Sequence, residues 1–183
     1  AEDLIAGTAS VNDTNQFLKD VFDWGGNQHR VKERVLSANS PKEIFEAITQ
    51  ATEILGEIKP ETESSHEGLV EGIKAITKLN ELGISYGGKV LRLLRSDVCA
   101  VLDSIVEDYV LDVHPPVFKV DPSGYYRVMQ SGFAVYCQRC IQVANLLNEI
   151  SISHPDQGVK NTWDAGDVDA AVFALIRVIR GEW

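Results

Sequence analysis

Apolar residues along this chain recur at spacings of three and four between short polar or glycine-rich breaks, the period of helices with one buried face. Phe17, Leu18 and Val21 lie on one side of a first helix predicted over about Asp13 to Asp23, which stops at Trp24-Gly25-Gly26. A short second helix is predicted from about Gln28 to Leu36. Ser40-Pro41-Lys42-Glu43 is a helix start: Ser at the N-cap, Pro in the first turn and Glu three residues after the Ser satisfy amides that lack an intrahelical partner. Ile44, Phe45, Ile48, Ala51, Ile54 and Leu55 extend it as an apolar stripe. Lys59-Pro60 ends it, because proline pushes the preceding residue out of helical backbone. Leu69, Ile73, Ile76 and Leu79 mark the next helix, with Gly83 as its C-terminal cap.

Beyond Gly87-Gly88 come Val90, Leu91, Leu93 and Leu94. Ser96-Asp97 then caps the most regular segment, Val98, Val101, Leu102, Ile105, Val106, Tyr109 and Val110, whose wide apolar face predicts a central helix. His114-Pro115-Pro116 breaks the chain, Val117 to Val120 suits a short strand, and Asp121-Pro122 starts a long helix to about Ile150, interrupted at Gly124 and Gly132. After a turn at His154 to Gly158, a last helix is predicted from about Asp167 to Arg180. Val168, Ala171, Val172, Leu175, Val178 and Ile179 face inward, with Arg177 and Arg180 near the negative end of its dipole. No set of alternating segments builds a sheet. The expected architecture is all-α: a compact array of six to eight amphipathic helices in one domain over residues 1–183, with residues 1–12 an irregular arm and residues 151–183 a turn and final helix.

Composition narrows the functional classes. At 183 residues, 44% apolar and 24% charged, the chain suits one globular domain and not a disordered tail. A formal net charge of −10 and a pI near 4.8 argue against nucleic acid, where affinity comes largely from Lys and Arg neutralising phosphates, and against anionic membranes. No apolar run approaches the ~18 residues of a membrane span, so a soluble protein is expected. A start at Ala1 predicts a processed N-terminus, by removal of Met or by cleavage of a signal or transit peptide. Cys99, Cys137 and Cys140 are odd in number and sparse, which is not a disulfide scaffold, so at least one thiol is expected to be free.

The local motifs favour ordinary structural roles. Cys137-Gln138-Arg139-Cys140 has the spacing of zinc ligands and redox dithiols, but it sits inside a predicted helix with no second pair, which favours buried cysteines. Glu63-Ser64-Ser65-His66 has the spacing of di-iron helices but occurs once, so His66 reads as a solvated capping residue. Glu63, Glu67 and Glu71 form an acidic stripe partly balanced by Lys74 and Lys78. Lys89, Arg92 and Arg95 could form a small anion site or a lipid-facing helix; pairing with the acidic excess is the preferred reading. Gly87-Gly88-Lys89 is a fragment of a phosphate loop only, and no nucleophile elbow is present. No catalytic residue and no metal ligand is assigned, and a non-enzymatic protein is expected.

Aromatic residues near helix ends and glycines are the remaining candidates, since glycine beside an aromatic ring admits a flat ligand or another backbone. Trp24, Tyr86, Tyr109, Phe133 and Tyr136 are the candidate apolar wall, with core packing as the alternative. Phe17-Leu18-Lys19-Asp20-Val21-Phe22-Asp23-Trp24 resembles the Phe-x-Lys-Glu-hydrophobic-Asp-Trp segment of each half of the peridinin–chlorophyll proteins, with one extra residue. Pro41 with Glu46-Ala47-Ile48, then Lys74-Ala75-Ile76, Gly88-Lys89-Val90 and Gly132-Phe133-Ala134-Val135-Tyr136 follow in the same order, so the resemblance runs from about Asn15 to Tyr136. Gly72 and Ile73 stand where that family has the His-His pair that supports the chlorophyll magnesium through water. The resemblance implies a helical cup binding carotenoid and chlorophyll for light harvesting, in the thylakoid lumen of a plastid. The alternative is a helical interaction or assembly domain with no small-molecule ligand, meeting protein partners through its apolar and acidic faces.

Overall fold

Three helix starts are set by one local device. Ser10, Ser40 and Asp164 each accept a bond from the amide three residues on, while Asp13, Glu43 and Asp167 reach back to the cap residue's own amide. In a computed structural model of the chain, which describes residues 2–60, 65–103, 105–106, 118–120, 126–128, 130–155 and 162–182, these caps open three of eight α-helices. They are α1 (Glu2–Ile5), α2 (Val11–Trp24), α3 (Val31–Ala38), α4 (Pro41–Gly56), α5 (Ser65–Ile76), α6 (Ile84–Leu94), α7 (Gln130–Glu149) and α8 (Ala165–Ile179). A 3-10 turn, Gln28–Arg30, leads into α3, and a two-stranded antiparallel ribbon pairs β1 (Phe118–Val120) with β2 (Tyr126–Val128). The fold is all-α apart from that ribbon.

Helix α4 packs on α5, α5 on α7, α7 on α8, and α2 on α4. Their apolar stripes meet in one core that includes Leu18, Phe22, Ile48, Leu55, Ile73, Leu91 and Phe133, all fully buried. Gly88 sits where a Cβ would lie 3.1 Å from Phe133 Cε2, so the missing side chain is what lets α6 approach α7. Among the described residues no helix is long and apolar enough to cross a membrane.

Five expectations change. The N-terminal arm is not wholly irregular: α1 folds over α4 and buries Leu4, and α2 starts at Val11. Gly83 caps the start of α6 rather than the end of α5, and Gly87-Gly88 lies buried inside α6 instead of breaking the chain. Val98 to Leu102 is buried but not helical; the next helical turn is capped by the half-buried Asp103, whose Oδ1 accepts from the amides of Ile105 (3.0 Å) and Val106 (3.2 Å). The remainder of that predicted helix, with Tyr109 and Val110, and the His114-Pro115-Pro116 and Asp121-Pro122 breaks lie outside the described residues. Helix α7 begins at Gln130, because the chain before it pairs as β2.

The fifth change matters most for function. In α8 the buried residues are Ala165, Gly166, Val168, Asp169 and Ile176, whereas Leu175, Val178 and Ile179 are 51%, 58% and 64% exposed. An apolar stripe is therefore turned outward and an aspartate inward. Gly166 explains part of this: its N–H donates to Ser96 O (2.8 Å), and a Cβ there would lie 3.1 Å from Arg92 Nε. The rest follows from the polar bonds of Asp169.

Candidate functional site

Helix α6 presents Lys89 and Arg92, one turn apart, to an open cleft of about 510 Å³. The end of α2 supplies Trp24 and Gly25, α8 supplies Asp169 and Phe173, and the segment after α6 supplies Val101, Asp103 and Ile105. That volume lies within the roughly 300–1,000 Å³ of small-molecule sites.

Arg92 is fixed by two acceptors. One guanidinium NH2 donates to Gly166 O (2.8 Å), and Nε lies 3.7 Å from Asp169 Oδ2. Asp169 is 4% exposed, and its other oxygen accepts from the Tyr136 hydroxyl at 2.9 Å. Burial raises the Asp169 carboxyl to about 6, against the pull of Arg92 and of the Tyr136 hydrogen bond. Burial likewise pushes the Tyr136 phenol well above its ordinary range.

Lys89 is different. Its Nζ lies 4.5 Å from the centroid of the Tyr86 ring, a cation–π distance, and among the described residues it has no hydrogen-bond or ion-pair partner. Burial lowers its basicity, opposed by the negative charge of Asp103. A half-buried amine without a bonding partner, in a cleft and facing a carboxylate, is the perturbed group that marks a site.

Among the described residues of the predicted wall, Trp24, Tyr86, Phe133 and Tyr136 do not line one cavity. Trp24 is 55% exposed at the cleft rim, with Arg92 Cζ 5.9 Å from its ring centroid. Tyr86 lies beneath Lys89, packed on Phe22 (centroids 5.5 Å apart), with its hydroxyl donating to Gly25 O at 3.4 Å. Tyr136 stands behind Asp169, and Phe133 is fully buried in the core. So Trp24 lines the cleft, Tyr86 and Tyr136 support its charged groups, and Phe133 is structural. Tyr109 lies outside the described residues.

Pairing with acids, expected for Lys89, Arg92 and Arg95, holds for Arg92 and for Arg95, which bonds Asp97 at 2.7 Å. It does not hold for Lys89. Asp103, Asp169 and Phe173 were not legible as site residues; the one available signal was an acid inside the apolar period of α8. Cys137 and Cys140 are buried within α7, where burial raises both thiols well above their ordinary range and so disfavours thiolate chemistry. His66 is not a solvated cap: Nδ1 lies 3.1 Å from Gln138 Oε1, tying α5 to α7. In the acidic stripe Glu71 pairs with Lys74 at 2.7 Å, while Lys78 donates to Gln50, and Glu63 lies outside the described residues.

No family model, no curated protein and no solved structure matches the chain.

Proposed function

We propose that the cleft between α2, α6 and α8 binds a small planar ligand carrying an anionic group, and that the protein acts by holding it. The observation that carries this reading is Lys89, an amine at the cleft without a bonding partner among the described residues. An acidic head facing Lys89 gains a charge-assisted bond, while the flat body lies against Trp24 and Phe173. A chromophore with a free carboxylate belongs to this class; the carotenoid and chlorophyll that the resemblance implies, where they carry no free acid, would leave Lys89 unused.

The planar sulfonate probe 8-anilinonaphthalene-1-sulfonate tests the site. Lys89→Gln is expected to weaken binding roughly ten- to hundredfold, the loss of one hydrogen bond to a charged group. Unchanged affinity removes Lys89 from the site. An absorption spectrum of protein purified from its native source tests the chromophore directly. A low-basicity amine beside Asp103 also suits attack on a carbonyl. In that reaction the amine and carbonyl carbon form an imine and water leaves, so borohydride trapping of pyridoxal phosphate selectively on Lys89 would shift the reading from anchor to nucleophile.

A second reading, assembly, is favoured by a separate observation: the outward Leu175, Val178 and Ile179 of α8. The occupant we propose is a second copy. A chain of net charge −10 repels itself over most of its surface, whereas this apolar stripe carries no charge of its own, and Arg177 beside it is paired with Glu182 at 3.2 Å. Sedimentation at tens of micromolar should give a dimer that Ile179→Glu converts to monomer. A monomer throughout removes this reading.

A further inference from the structure

Asp169 is an unusual residue for the inner face of α8. It is 4% exposed, Tyr136 donates to one carboxylate oxygen at 2.9 Å, and the other lies 3.7 Å from Arg92 Nε. It also lines the cleft with Lys89, Arg92 and Asp103. With Asp169 ionised, two cations and two carboxylates leave that cluster neutral. With Asp169 protonated, the same cluster carries one positive charge, and Arg92 keeps its bond to Gly166 O at 2.8 Å and stays in place. The guanidinium is thus held in position by a backbone carbonyl while its charge is offset by a separate, titratable group.

We infer that Asp169 is a positioning and regulatory residue: its protonation frees the charge of Arg92 for an anionic ligand and tightens the cleft's grip on that ligand under mildly acidic conditions. This rests on the ligand reading of the cleft. The groups facing Asp169 come from three elements: Tyr136, Cys137 and Cys140 from α7, Arg92 from α6, and Asp103 with the Val101 amide from the segment between. Burial keeps the Tyr136 phenol and the Cys137 and Cys140 thiols protonated through neutral pH, and a guanidinium does not titrate there. Asp169 itself sits at about 6, its raised position coming from burial first. Binding and protonation are reciprocally linked, so an anion bound beside Arg92 draws a proton onto Asp169.

The sulfonate probe keeps its charge over the relevant range, so its affinity reports the protein's titration. Between about pH 8 and about pH 5, wild-type affinity should rise roughly tenfold, the effect of one added charge a few ångströms away in a partly screened cleft. The midpoint should lie near the Asp169 value of about 6. Asp169→Asn should hold the acid-form affinity across the range, and Asp103→Asn, which removes a negative charge that raises the Asp169 carboxyl, should keep the pH dependence but move its midpoint downward. Tyr136→Phe removes the hydrogen bond that favours the carboxylate, so it should move the midpoint upward; it serves even where Asp169→Asn does not fold. Binding that depends on Lys89 but is flat with pH, or that keeps its wild-type profile in Asp169→Asn, overturns this inference alone. Binding indifferent to Lys89→Gln at every pH overturns the ligand reading and this inference with it.

Discussion

Replacing Phe133 with alanine should lower the free energy of unfolding by about 3–5 kcal/mol, the usual cost of deleting a buried aromatic ring, and leave the ligand affinity of the folded protein unchanged. The ring is fully buried, packs against the bare backbone of Gly88 and joins α6 to α7. Gly88 offers no side chain that could move into the vacated space, which places the cost toward the upper end of that range. Urea unfolding of wild type and variant measures the difference as a shift in midpoint at constant slope. Phe133→Leu keeps most of the volume, allows probe binding to be read on a well-folded protein, and should bind as wild type does. A variant that unfolds as wild type does but loses the probe would make Phe133 part of a ligand wall and dissolve its assignment to the core.

Phe133 also shows where a sequence can and cannot be read. Helix starts are legible because their cause is local: Ser40, Pro41 and Glu43 fit the start of α4 whatever packs on it, and the end of that helix falls close to Lys59-Pro60. The apolar stripes of α2, α4 and α5 predict their buried faces for the same reason. Gly87-Gly88 misleads because glycine's propensity to break a helix is a weak preference, overridden here by the close packing it permits against Ile73, Ile76 and Phe133. Val98 to Leu102 keeps a helix-like pattern without a helix, since burial on all sides rewards apolar residues in any backbone conformation. The orientation of α8 is the most instructive case. Its most apolar stripe is outward, because one buried aspartate has partners, the Tyr136 hydroxyl, the Arg92 guanidinium and the Val101 amide, that are reached only in three dimensions. The cleft was unreadable on the same ground: α2, α6 and α8 contribute Trp24, Lys89 and Asp169 from positions far apart in the chain, and no spacing rule joins them.

Arg92→Met should destabilise the protein in a manner that grows with pH. Asp169 titrates at about 6 in the folded protein, above its ordinary 3.8, so the folded state holds this proton more tightly than the unfolded chain. Wild-type stability from this group is therefore greatest below the unfolded value and falls as pH rises through the folded one, by roughly 3 kcal/mol in all. Arg92 is one of the groups holding the folded value down, and removing it moves that value upward. At about pH 5 wild type and variant both carry protonated Asp169, and the variant loses only the bond to Gly166 O, about 1 kcal/mol. Above about pH 6 the wild type levels off while the variant continues to lose about 1.4 kcal/mol per pH unit until its own carboxyl ionises. By about pH 8 the deficit should approach 3 kcal/mol, the scale of a buried charge deprived of its partner. Adding Asp169→Asn to Arg92→Met removes the titrating group, and the deficit should become independent of pH. Thermal or urea unfolding at three pH values decides it: a deficit equal at all three would mean that Asp169 and Arg92 are coupled in position only, and that the aspartate turned inward on α8 is held there by the Tyr136 hydroxyl and the Val101 amide.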